Sequence, residues 1–148
     1  MIEIKRVTKY DEKLAKAMGE LLKDLSSKAT GAPISQDWLE QTIASPLHDQ
    51  LVAFDGEKLV GMATVSIILG AKIDRNEYLE DFVVSKDCQG KGIGGLIWAE
   101  IIAWGKEKGA KRLEFTSSGQ DQKSGAVSFY LKKGAIIRDT NFFRFELQ

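Results

Sequence analysis

The feature that most restricts the fold is a glycine run, Gln89-Gly90-Lys91-Gly92-Ile93-Gly94-Gly95, set between an apolar stretch and a long helical pattern. Glycine accepts positive φ and lets a ligand reach the backbone without meeting a side chain. A helix N-terminus presents unpaired N–H groups and a partial positive charge, so a strand, glycine loop and helix in succession suit a diphosphate. Lys91 adds a cation to the same loop. Such a unit belongs on a sheet with helices packed against it.

Three phosphate-binding patterns compete for this loop. The P-loop pattern G-x-x-x-x-G-K-[ST] occurs nowhere in the chain. The dinucleotide pattern G-x-G-x-x-G fits Gly90, Gly92 and Gly95, with Glu114 standing about 20 residues on, where a ribose ligand belongs. That pattern needs its glycines directly after the strand, and residues 85–89 intervene here. The third pattern, Q-x-x-G-x-G, is met by Gln89, Gly92 and Gly94.

The rest of the chain supplies the frame. Residues 2–7 alternate apolar and polar, which predicts a strand. Leu14, Ala17, Met18, Leu21, Leu22 and Leu25 fall at helical spacing over residues 11–26, and Ser35 caps a second helix carrying Trp38, Leu39 and Ile43. Residues 50–54 and 58–69 are apolar runs around Asp55-Gly56, a hairpin signal. Residues 70–76 read as a polar connection and 78–84 as a strand. The helix after the glycines covers residues 92–108 and is apolar nearly all round at first, so it should be buried. Residues 112–116 follow as a strand, and residues 124–133 as a short helix with Ser124 as N-cap. A last strand pair is expected over 135–138 and 142–147. Hairpins first and a βαβ unit second predict an α/β (α+β) mixed sheet with helices on both faces.

Over residues 49–135 the chain resembles the GNAT family of N-acetyltransferases. The resemblance rests on Gln89, Gly92 and Gly94, on the strand Tyr78-Leu79-Glu80-Asp81-Phe82-Val83-Val84, and on Ala126-Val127-Ser128-Phe129-Tyr130-Leu131-Lys132-Lys133-Gly134-Ala135, all in the family's order. It implies a GNAT-like acyl-CoA N-acyltransferase fold, with a central, mostly antiparallel sheet whose fourth and fifth strands splay to admit acetyl-CoA. It further implies that Phe82, Val83 and Val84 offer main-chain groups to the acetyl and pantetheine portions, and that Gln89, Gly90, Lys91, Gly92, Ile93, Gly94 and Gly95 hold the diphosphate. Phe129 would line the cofactor's far side. Lys123 stands where many members have Asn, and Ala135 replaces the usual Phe.

Acyl transfer from a thioester to an amine needs a base for the ammonium, an acid for the thiolate and donors for the oxyanion. Tyr130 matches the family's tyrosine near the coenzyme sulfur and is the expected acid. Glu80 is the expected base; strict alternation puts it on one face with Tyr78, Phe82 and Val84, and turns Asp81 to the other face. The strand's similarity to that of diamine and polyamine acetyltransferases points to a small cationic amine. Asp24, Trp38 and Phe142 or Phe143 are candidates to line the acceptor site, although helical spacing fits Trp38 to the core as well. The competing functions are a non-catalytic acyl-CoA sensing module, an acetyltransferase of protein termini or lysines, and a dinucleotide-binding protein.

Composition narrows the classes. With 148 residues the chain suits one domain. Lys plus Arg and Asp plus Glu both number 21, which disfavours a nucleic-acid partner. There is no apolar run of membrane-spanning length, and Cys88 is the only cysteine, so a cytoplasmic protein without a disulfide is expected. A homodimer fits the apolar segment at Phe142-Phe143-Arg144-Phe145. No side chains have metal-ligand spacing, so no metal is expected. His48 and Cys88 are read as bystanders, and the basic run Lys106, Lys108, Lys111 and Arg112 as a solvated helix end.

Overall fold

A computed structural model describes residues 1–117 and 125–148. The chain divides into two compact units, Met1–Phe115 and Thr116–Gln148. The first unit runs β1 (Ile2–Arg6), α1 (Glu12–Leu21), α2 (Gln36–Ala44), β2 (His48–Asp55), β3 (Lys58–Gly70), β4 (Asp74–Val84), α3 (Ile93–Glu107) and β5 (Leu113–Glu114). Short 3₁₀ turns at Leu22–Asp24 and Lys86–Cys88 follow α1 and β4. The five strands lie in sequence order in one sheet. The first three pairings are antiparallel, and β4 pairs β5 in parallel.

Local chemistry explains the helices. The Asp11 carboxylate accepts from the Leu14 N–H at 2.8 Å and caps α1. Ser35 does the same for α2, accepting from the Trp38 N–H at 3.3 Å. One face of the sheet contributes Val52, Met62 and Val83 to a core closed by Met18 and Leu21 of α1 and Leu39 of α2. The opposite face is covered by α3, which buries Ile93, Ile97, Trp98, Ile101 and Trp104. Gly61 makes that packing close, since a Cβ there would stand 2.6 Å from Ile97 Cδ1. Helices on both faces of a mostly antiparallel sheet match the expectation from the sequence.

Two strand boundaries differ from it. β4 begins at Asp74, because Asp74, Arg75 and Asn76 pair with Gly70, Leu69 and Ile68. The polar residues read as a connection therefore extend the β3–β4 hairpin: ladder bonds, not side-chain polarity, set a strand's length. β5 has two residues rather than five.

The second unit contains α4 (Ala126–Lys132), entered through Gly125 at φ +85°. Phe129 and Tyr130 meet edge-on with ring centroids 5.6 Å apart. Residues 135–148 form no strand, which corrects the strand pair expected there. The apolar residues of that segment provide the pattern, but a strand also needs a ladder partner, and none exists for them among the described residues.

Candidate functional site

The glycine loop is anchored on its inner side and open on its outer side. Beyond Val84, the Ser85 N–H donates to the Val60 carbonyl at 2.8 Å. Gln89 Nε2 reaches back to the Val84 carbonyl at 3.3 Å, and the Lys86 N–H donates to Asp24 Oδ2 at 3.0 Å. Asp24 thus secures the loop and is not among the residues of the cleft described below. Asp87 bonds Lys58 Nζ at 2.6 Å and the Ser85 hydroxyl, and Lys58 first and Ser85 second hold its carboxyl below the ordinary range.

Gly90 and Gly92 adopt φ of +80° and +83°, which L side chains rarely take. A Cβ at either would meet nothing within 4 Å, so the backbone of both faces open space. Gly92 is the N-cap of α3, with no side-chain capping bond and no acidic residue in the first turn. The helix therefore presents its first N–H groups and the positive end of its dipole without a competing side chain, as an anionic ligand requires. The backbone fits the diphosphate of a coenzyme. Lys91 is exposed beside it and Ile93 is buried, holding the helix to the sheet.

The edge of β4 is covered by β5 only in part. Its parallel ladder with β5 has two pairs, Glu77 with Leu113 and Tyr78 with Glu114. Among the described residues β5 goes no further, so the ladder ends before Leu79–Val84. Phe82 and Val84 are half-buried in this stretch, and Val83 is buried.

On the α1–α2 face of the sheet lies a cleft of about 710 Å³. β2, β3 and β4 floor it in register: His48 pairs with Ser66, which pairs with Tyr78, and Gln50 pairs with Thr64, which pairs with Glu80. Trp38, Gln41 and Thr42 of α2 close one side. Trp38, 38% exposed, lines this cleft and not the core. His48 lines it too, its Nδ1 2.7 Å from Ser45 Oγ, although sequence reasoning set it aside.

Asp81 is the main correction. Met62 pairs with Val83 and Thr64 with Glu80, so Ala63 alone opposes both Asp81 and Phe82. This is a β-bulge, and Asp81 within it takes φ +50°. The extra residue breaks the alternation assumed from sequence. Asp81 shares the cleft with Glu80 and Tyr78, and Val83 rather than Phe82 joins Met62 in the core. Nothing in the sequence marks the bulge except two adjacent acids in an apolar strand.

Desolvation raises both carboxyl pKa values; the neighbouring Asp81 raises that of Glu80 further, and the Thr64 hydroxyl partly offsets the rise at Asp81. Glu80 is exposed and Asp81 half-buried. Among the described residues no cation pairs with either. Below Asp81, Thr64 Oγ1 donates to Gln50 Oε1 at 2.7 Å and stands 3.5 Å from Asp81 Oδ2. Gln50, 1% exposed, is fixed by donating to the Ala63 and Leu51 carbonyls at 3.1 and 3.2 Å.

Tyr130 and Phe129 are half-buried on α4 in the second unit. Lys123 and the Ser124 cap lie outside the described residues. Phe142 and Phe143 are 70% and 85% exposed. Among the described residues no helix is long and apolar enough to cross a membrane.

A family model described as the acetyltransferase (GNAT) family matches residues 16–135. No curated protein matches the chain. Among solved structures, an aminoglycoside acetyltransferase from an uncultured soil metagenomic sample, in complex with trehalose, aligns with TM-score 0.84 at 17% identity, covering 99% of this chain and 97% of that one. Glucosamine-6-phosphate N-acetyltransferase from Arabidopsis thaliana aligns with TM-score 0.77 at 18% identity, covering 98% of each chain. An integron cassette protein from the mobile metagenome of V. cholerae aligns with TM-score 0.71 at 25% identity, covering 98% of this chain and 92% of that one.

Proposed function

The chain belongs to the acetyltransferase (GNAT) family, and we propose that it moves an acetyl group from acetyl-CoA to a primary amine of a small molecule, by direct attack in a ternary complex. The observation that carries this reading is the glycine loop: two residues at positive φ, open to solvent, at the uncapped N-terminus of a 15-residue helix. Bound acetyl-CoA supplies the thioester acyl group. The backbone of Gln89, Gly90, Lys91, Gly92, Ile93, Gly94 and Gly95 holds its diphosphate, with Lys91 adding charge. Main-chain groups of Phe82, Val83 and Val84 orient the arm. The reading treats residues 1–148 as one catalytic domain.

An amine attacks only as the free base, so its proton must first leave. Glu80 takes it. The raised pKa of that carboxyl makes it a better base than an ordinary surface glutamate. As the N–C bond forms and the C–S bond breaks, the Tyr130 hydroxyl gives a proton to the departing sulfur. A cleft of this size on the sheet face suits a small-molecule acceptor. The two named acetyltransferases among the structural neighbours carry amino-sugar acceptors in their names, which supports the same class.

Calorimetric titration with acetyl-CoA tests the reading, with NAD and the Gly92→Val variant as controls. Wild-type protein is expected to bind acetyl-CoA saturably and NAD not at all. Gly92→Val, strained at φ +83°, is expected to lose binding by about tenfold or more. Full binding by a folded Gly92→Val protein would remove the diphosphate from this loop, and NAD binding in place of acetyl-CoA would promote the dinucleotide reading.

A further inference from the structure

We propose that His48 is a specificity-determining residue of the acceptor site, and that with Ser66 and Tyr78 it holds an uncharged, hydroxyl-bearing end of the amine substrate. This rests on the reading of the cleft as the acceptor site. Two rows of paired residues cross the three strands of its floor. In one, Gln50 pairs with Thr64 and Thr64 with Glu80. In the other, two residues along each strand, His48 pairs with Ser66 and Ser66 with Tyr78. Residues two apart on a strand share a face, so the second row lies beside the base on the same side of the sheet. It consists of an imidazole, an aliphatic hydroxyl and a phenol.

This row is arranged to hydrogen-bond and not to pair charge. Ser45, which ends α2, accepts from the Leu47 N–H at 3.2 Å and lies 2.7 Å from His48 Nδ1. Among the described residues Nδ1 is the acceptor for the Ser45 hydroxyl proton, which puts the ring's own hydrogen on Nε2. The turn thus fixes the ring and leaves the Nε2–H for a ligand. The Ser66 and Tyr78 hydroxyls have no hydrogen-bond partner among the described residues, although both side chains are half-buried. Each can donate and accept, as a ligand hydroxyl does. No Lys or Arg among the described residues lines the cleft, so a carboxylate or phosphate here would face Glu80 and Asp81 without a counter-charge. A second ammonium would find no carboxylate in this row. Two strands and two residues separate Glu80 from His48, about 12 Å between their backbones. A six-membered ring with amine and hydroxyl at opposite positions spans this with one hydrogen bond at each end. Trp38, on the wall of the cleft, offers its indole to the carbons of such a ring.

The test compares cyclohexylamine with its trans-4-hydroxy, trans-4-carboxy and trans-4-amino derivatives as acceptors at saturating acetyl-CoA, read by thiol release. Wild-type kcat/KM is expected to favour the hydroxy compound over each of the others by about 3- to 10-fold, the range of a hydrogen bond between neutral groups. In His48→Ala the KM of the hydroxy compound should rise by that factor. Its kcat, and both constants for cyclohexylamine, should stay within about twofold. Ser66→Ala leaves the Ser45 turn intact and should act in the same direction by about threefold. Urea midpoints check that both variants fold, and either one carries the test if the other does not. Equal constants for the hydroxy compound and cyclohexylamine in the wild-type protein would overturn the proposal alone. So would a preference for the carboxylate or the second ammonium, or a hydroxyl preference that survives both substitutions. Acetyl-CoA binding with transfer to none of these amines would overturn the acceptor reading of the cleft and this proposal with it.

Discussion

β4 carries two sets of unpaired carboxylates, one on each face. Glu77 lies under α3, 2% exposed, its Oε1 without a hydrogen-bond partner among the described residues. Glu80 and Asp81 lie on the other face, in the cleft. Desolvation is the largest cause of the raised pKa in all three, and Glu77 is pushed furthest, to about 8. Yet Glu77 does not line the cleft. Gly105 of α3 sits directly over it, so close that a Cβ there would stand 1.8 Å from Glu77 Oε2. The most perturbed acid is thus a structural one, protonated and enclosed, and the less perturbed pair faces space for a ligand. Perturbation marks where a charge is unwelcome; access decides whether that does chemistry.

The comparison breaks most directly if function does not follow access. Glu80→Gln keeps the side chain's shape and removes its basicity. It is expected to lower kcat by about 10²- to 10⁴-fold, the usual worth of a general base, with acetyl-CoA affinity unchanged. Glu77→Gln should leave kcat within about twofold. Thiol release over pH 6–9 measures both. Equal losses in the two variants would show that the two faces are not functionally distinct.

The same pair of faces differs in how stability depends on pH. The Glu77 carboxyl titrates at about 8 in the folded chain, against an ordinary 4.5. Between those values the folded state keeps a proton that the unfolded state has released. Stability from this group is therefore fully present below about pH 4.5 and is lost as pH rises to 8, by a few kcal/mol. Glu77→Gln should flatten that slope in urea unfolding followed from pH 5 to 9. Glu80 and Asp81 shift in the same direction, so the difference between variant and wild type isolates Glu77. A wild-type slope that survives the substitution would locate it elsewhere. Asp87 and Glu107, lowered by Lys58 and Arg6, act below this window.

What the sequence made legible were features written in consecutive residues. The glycine run, the capping Ser35, the Asp55-Gly56 turn and the apolar α3 all carry their geometry locally. The features missed depend on distant partners. The bulge at Asp81 exists because β3 offers one residue, Ala63, where β4 has two. His48 and Trp38 reach the cleft because β2 pairs with β3 and α2 packs on the same face of the sheet, which no spacing within either element reveals. The alternation of residues 142–147 suggested a strand, but a ladder partner decides that, and pattern alone cannot provide one. Glu77 falls between the connection read over residues 70–76 and the strand read over 78–84, and only the placement of Gly105 of α3 against it shows that it is enclosed.

Gly105 offers the finest probe of the enclosed face. Its notch is the reason a carboxyl fits between β4 and α3. Gly105→Ala should raise helix propensity by about 1 kcal/mol, the ordinary difference between these residues inside a helix. Against that, the new methyl collides with Glu77, and overpacking of this kind costs about 1–3 kcal/mol. The net expectation is a loss of up to about 2 kcal/mol by urea unfolding. In a Glu77→Ala background the collision is gone and the helix gain remains, so the same substitution should become neutral or stabilising. A loss that persists in that background would mean α3 is held off by something other than Glu77, and the contrast between the two faces of β4 would then rest on exposure alone.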